Sequence, residues 1–297
     1  MVGLGSRWKL GWLLVAFGIA SSTQAEEQRR FVFWDTVSPN GKYALAWTKT
    51  GSVALDDMPS PYSDDHSVQN WLIELDSRKL ALLLPDARYW HLEGYRPNHF
   101  SMDTVWSNDS SSLLVVVESK WATEQFIIVD TISLRARGLA ESMRKAFIQL
   151  LRRDGGALFK KRAEQYNFTF SAPWFVGRNR FDVNANASIP KATEGEFNYY
   201  LTFDCNSNQV TLEKSSVSGP DASESSDREL NQVYRSLIGL LKPAERQALV
   251  EEERTWIAER DSAKRSQAKE KLVRARIEEL TKRRDDRVDE LSAAEQP

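Results

Sequence analysis

Cysteine is nearly missing from this chain: Cys205 is the only one in 297 residues. A single thiol makes no internal disulfide, so apolar packing must hold the fold. Histidine is almost as scarce, and His66, His91 and His99 fall in no His-Glu-x-x-His spacing. Neither a Gly-x-Ser-x-Gly elbow nor a Walker loop occurs. With those patterns absent, no catalytic residue, metal ligand or cofactor is expected, and the chain reads as non-enzymatic. Asp56, Asp57, Asp64 and Asp65 cluster without the alternate-position spacing of a calcium loop and read as a solvated acidic loop. An excess of one charge is lacking too: the net charge is −2, with no basic patch, so nucleic acid is not an expected partner.

Long apolar runs are also scarce. Leu10 to Ala20 spans 11 residues, short of the roughly 20 that a membrane-spanning helix needs. It follows Arg7 and Lys9 and precedes small residues ending at Ala25, which is the layout of a secretory signal peptide cut after Ala25. Cleavage would leave 297 − 25 = 272 residues and, with Arg7 and Lys9 gone, move the net charge from −2 to −4. A periplasmic or secreted location is expected, with no stable membrane span afterwards.

What the chain does have is aromatic core material, ten tryptophans and thirteen phenylalanines. Its first half repeats itself. "VSPNGKYALAW", Val37 to Trp47, sets the turn Pro39-Asn40-Gly41 before a β run, and "WSNDSSSLLVVV" from Trp106 does the same 69 residues later with Asn108-Asp109-Ser110. After each comes an apolar strand closed by an aspartate, Asp76 and Asp130, with a fainter copy ending at Asp204. The unit resembles a blade of the TolB or WD-repeat kind of β-propeller, which implies an incomplete, propeller-like meander. A helical stretch at 138–167 interrupts the series; Met143, Phe147, Leu150 and Leu151 fall at helix spacing and Gly155-Gly156 breaks it.

The expected fold class is α+β in two domains: a β-rich unit at 26–214, a Ser-rich linker at 215–226 around Gly219-Pro220, and a helical unit at 227–297. Ser226 and Glu229 fit a capping box that starts the first helix. Leu230, Val233, Tyr234, Leu237 and Leu241 form one stripe, and Pro243 suits the first turn of a second helix. No glycine or proline occurs between Ala244 and Gln296, so that second helix is expected to run on for 40 or more residues, about 60 Å. Its later part carries a thin seam of Val273, Ile277, Leu280, Val288 and Leu291, fit for a solvated helix or a weak coiled coil.

"LNQVYRSLIGLLKPAERQALVEEERTWIAERD", from Leu230 to Asp261, resembles the lysozyme inhibitor LprI-like N-terminal domain, as does "EELTKRRDDRVDEL" further on. The matching residues are Leu230, Asn231, Tyr234, Leu237, Leu249, Arg254, Trp256, Ile257, Arg260 and Asp261. The family's paired cysteines have no counterpart after Asp261, where Ser262, Ala263 and Lys264 stand. The resemblance implies an exported protein that binds other envelope proteins, lysozyme among them, with Asn231, Tyr234, Arg254, Trp256, Arg260 and Asp261 as candidate protein-binding positions. The same residues suit purely structural roles, with Trp256 buried across the hairpin against Tyr234 and Leu237. Residues 227 to 297 hold 16 basic and 16 acidic side chains, so no acidic face is expected. The alternative is an assembly protein whose β domain docks a partner while the long helix self-associates.

Overall fold

The computed structural model describes residues 29–51, 53–59, 66–92, 99–190, 196–205, 210–216, 222–263 and 266–294. The signal-peptide reading at 1–25, Asp64 and Asp65, and Gly219-Pro220 lie outside these residues. Among the described residues the fold is α+β, with three four-stranded antiparallel sheets and five α-helices. The first sheet, in the order β1-β2-β3-β4, holds Arg30–Phe33, Tyr43–Lys49, Val68–Glu74 and Lys79–Leu83. The second, β5-β6-β7-β8, holds Ser101–Trp106, Ser112–Glu118, Thr123–Asp130 and Arg135–Gly138. The third, β12-β11-β10-β9, holds Asn167–Gly177 (β9), Arg180–Ser188 (β10), Phe197–Asp204 (β11) and Thr211–Ser216 (β12). Each sheet is a simple up-and-down meander.

The two turns that begin the 69-residue repeat share one hydrogen-bond plan. In the first, the Ser38 hydroxyl donates to Asn40 Oδ1 (2.8 Å) and accepts from the Tyr43 amide (2.9 Å), while the Lys42 amide reaches Asn40 Oδ1 (3.0 Å). In the second, Ser107 donates to Asp109 Oδ1 (2.7 Å) and accepts from the Ser112 amide (2.9 Å), with the Ser111 amide on Asp109 Oδ1 (3.0 Å). The left-handed position falls to Gly41 (φ 71°) in one and to Ser110 (φ 58°) in the other. Asn and Asp serve alike here because each offers a short side-chain acceptor to the backbone two residues on.

Burial on both faces explains the unbroken apolar runs of the central strands. On β6 and β7, Leu113, Val115, Val117, Ile127 and Val129 pack with Leu45, Trp47 and Leu72 of the first sheet. Their opposite face, with Leu114, Val116, Phe126 and Ile128, packs on Phe168, Phe170, Phe181 and Val183 of the third sheet. The helix Ala140–Asp154 (α1) fills that second core with Met143, Phe147, Leu150 and Leu151, and Gly156–Arg162 (α2) follows the break. Gly155 is required at that break, since an added Cβ would press on the Leu151 carbonyl and on Phe159. The third sheet begins inside the stretch expected to be helical, because Asn167 already belongs to β9.

The chain then forms Ala222–Leu240 (α3), Pro243–Ser262 (α4) and Ser266–Ala294 (α5). Three expectations are corrected. The linker is shorter than 215–226, since β12 runs to Ser216 and α3 starts at Ala222. Ser226 is therefore no N-cap: it lies inside α3, 7% exposed, and donates to Glu270 Oε1 at 2.9 Å. Finally, α4 and α5 are not one helix, because Ala263 is extended (φ −66°, ψ 120°) and α5 folds back on the other two. The gain in burial explains the break: Val273, Ile277 and Leu280 close a core with Leu230, Val233, Leu237 and Leu249. A continuous helix would leave that seam in water. Further along, Val288 and Leu291 pack with Leu240 on Ala44, Ala46 and Ile73 of the first sheet. The alanines of β2 leave room for helices on that face. None of the described helices is long and apolar enough to cross a membrane.

Candidate functional site

The three-helix unit has two ends. Near the β sheets, the corner between α3 and α4 rests on the first repeat turn. An added Cβ on Gly239 would collide with the Ser38 carbonyl, and one on Gly41 would collide with the Arg246 guanidinium. Arg246 ties the corner together, donating to the carbonyls of Leu241 (2.7 Å), Gly239 (3.2 Å) and Asn40 (3.3 Å). Pro243 opens α4 as expected, and Glu245 caps it by accepting from the Lys242 amide at 2.8 Å.

Away from that corner, the α3 start and the α4 end come together. Arg260 lies 3.7 Å from Asp227 and 3.0 Å from Asp261, with its guanidinium 5.4 Å from the Trp256 ring centre. Asn231 donates through Nδ2 to the Asp227 carbonyl at 2.7 Å. Arg254 is exposed and pairs with Glu251 at 2.7 Å. Tyr234 and Trp256 are both half-buried against the helical core that includes Leu237. The Tyr234 hydroxyl is held above its usual range by burial first, then by Glu253. Beside Trp256, Ile257 is 42% exposed, a large apolar side chain left in water. Thus Tyr234, Trp256 and Arg260 meet where α3 and α4 come together, whereas Asn231, Arg254 and Asp261 pair within their own helices, and Trp256 is half open rather than buried.

Charge, in place of disulfides, clamps α4 to α5. Arg276 is 5% exposed and donates to Glu253 through Nε (2.7 Å) and Nη2 and, through Nη1, to Glu252 and Glu279, both at 2.7 Å. Burial opposes its charge, yet the hydrogen bonds it donates to Glu279, Glu252 and Glu253 outweigh that and hold the guanidinium more firmly protonated than usual. Arg283 reaches both Glu252 oxygens at 2.9 and 3.0 Å, and Arg287 lies 3.9 Å from Glu245. Glu279 and Arg283 also meet on α5 at 3.7 Å, whereas Lys282 pairs with Asp286 at 2.6 Å. The signal for this clamp was in the sequence: Arg276 sits beside Ile277 on the Val273–Leu280 seam, a poor place for an unpaired charge.

Cys205 ends up free and buried just after β11, its thiol pushed up to about 11, chiefly by burial. It also opens the region where the chain meets a known family. Residues 205–291 match the family model of lysozyme inhibitor LprI. No curated protein and no solved structure matches the chain. The LprI region therefore starts earlier than the resemblance seen at Leu230 and takes in β12 as well as the three helices. All six candidate positions fall inside it.

Proposed function

We propose that this is an exported, non-enzymatic protein that binds another envelope protein through its LprI region, with lysozyme as the target. The family match at 205–291 supports the class of partner, and the Arg7-to-Ala25 leader supports export. Support for the location comes from the α3–α4 seam. There a half-buried Trp256 under the Arg260 guanidinium adjoins the exposed Ile257. Aromatic and arginine side chains dominate the energetics of protein interfaces. Asn231, Tyr234, Arg254 and Asp261 would complete the contact surface. The three consecutive meanders, and the matched turns of the first two, also favour a propeller-like β body; a crystal structure whose sheets share no common axis would remove that part of the reading.

The test uses the mature chain with lysozyme in a lytic assay and by calorimetry. Trp256→Ala and Ile257→Asp should keep wild-type helical circular dichroism and lose inhibition and heat of binding. If the wild-type chain neither slows lysis nor binds at micromolar excess, lysozyme is not the target.

A further inference from the structure

Where the helices meet the sheets there is a cleft of about 450 Å³ that the α3–α4 seam does not use. Its size falls within the roughly 300–1,000 Å³ of small-molecule sites. One wall comes from the β body, with Asp35, Asp103 and Trp174, and the other from the helices, with Gln232, Arg235 and Asp289. Two properties set it apart from an ordinary crevice. Trp174 is half-buried and lines the cleft, with the Arg235 guanidinium 5.3 Å from its ring centre. Among the described residues Arg235 has no acidic partner, and burial pulls its basicity down. Around the mouth, Asp35, Asp103 and Asp289 are exposed and likewise have no cationic partner among the described residues. Although the residue as a whole is exposed, the Asp103 carboxyl is pushed up, first by desolvation and then by Asp35. The cleft's other arginine, Arg284, is already committed to Asp285 at 2.7 Å.

We infer that this cleft binds an amino sugar, one or two rings long. Vicinal hydroxyls both donate and accept, and they need carboxylates as acceptors with a guanidinium and a carboxamide as donors around one space. The cleft offers that mixture in Asp35, Asp103, Asp289, Arg235 and Gln232. A sugar ring presents a flat C–H face that packs on an aromatic side chain, which Trp174 supplies. The excess of carboxylates over arginines favours a protonated amine on the ring and disfavours a uronic acid. A single basic side chain from a peptide would meet only part of this arrangement and leave Arg235 unanswered. The inference goes beyond protein binding at the α3–α4 seam and does not depend on it.

Calorimetry of the mature chain with the β-1,4 disaccharide of glucosamine tests this. Saturable binding to one site is expected, weaker for cellobiose, which has the hydroxyls without the amines. Asp289→Asn, an exposed change on α5, and Trp174→Ala should each weaken it by about tenfold or more while lysozyme binding stays as in the wild type. No saturable heat at millimolar sugar overturns the inference. So does equal binding by both variants, or saturation by tri-lysine with none by the disaccharide.

Discussion

Replacing Arg276 with alanine tests whether a buried ion pair holds α5 against α4. Arg276 is 5% exposed and Glu253 is 9% exposed. Their contact is therefore shielded from water, while Glu252 and Glu279, 41% and 51% exposed, can rehydrate freely. Those two outer pairs each contribute about 0–1 kcal/mol. The cost of the substitution is set by Glu253, left as an uncompensated buried carboxylate, for which about 3–5 kcal/mol is typical. We expect the lower half of that range, because Glu253 is only one turn from solvent-facing Thr255 and Ile257. The measurement is urea unfolding followed by helical circular dichroism. The double variant Arg276→Met with Glu253→Met should recover to within about 1 kcal/mol of wild type, since a buried pair exchanged for apolar groups of similar size is often neutral. A single substitution costing less than about 1 kcal/mol would refute the reasoning, because Glu253 would then be no more shielded than a surface residue.

Three other outcomes follow from the geometry. Ser111 and Ser107 hydroxyls, with the Ser111 amide, hold the Asp109 carboxyl at about 2, below its usual 3.8. A depressed carboxyl pKa stabilises above its unfolded value, so this contribution is lost as pH falls from about 4 towards 2. Asp109→Asn, which copies Asn40 of the first turn, should fold normally at neutral pH and flatten that acid limb in thermal melts; an unchanged limb would contradict the hydrogen-bond account. Gly239→Leu should cost about 1–3 kcal/mol by overpacking against Ser38, despite leucine's better helix propensity, and a neutral or stabilised urea transition would argue against tight docking of the corner. Cys205, raised to about 11 by burial, should resist a disulfide reagent at mildly alkaline pH until the chain is unfolded; rapid labelling of the native protein would count against its burial.

The sequence carried the local features and missed the long-range ones. The Pro39-Asn40-Gly41 and Asn108-Asp109-Ser110 turns, the Gly155 break and the Pro243 start depend on a few adjacent residues, and all are present. The third sheet was read only in its faint Asp204 copy, since its β9 and β10 are broken by Pro173 and by polar Asn184 and Asn186. The end of α4 had no local marker: Ser262-Ala263 carries no glycine or proline, and the break is imposed by what α5 gains in packing. For the same reason the seam read as a possible coiled coil is spent inside the molecule, on α3 for Val273 and Ile277 and on β2 for Val288 and Leu291. Of the candidate positions, the sequence set Trp256 across the hairpin from Tyr234 and Leu237, and both aromatic rings do line that helical core. How far Trp256 stays open depends on Arg260 and on the helix-core residues behind it, which spacing alone does not encode.

Gly239, Gly41 and Arg246 give the helical region a seat that is part of another element. The sister turn at Ser107–Ser112, built to the same hydrogen-bond plan, meets it only sideways, where the Asn40 amide reaches the Ser110 hydroxyl at 3.2 Å. One member of a repeated pair thus serves as a foundation while the other remains an ordinary turn. Excising the stretch from residue 226 onward would strip Leu240, Val288 and Leu291 of their cover on Ala44, Ala46 and Ile73. Such a fragment would carry a sticky apolar underside, and its non-specific adhesion to the assayed enzyme, or to itself, would imitate inhibition. Assays on the isolated helices are thus open to false positives that the intact chain would not give.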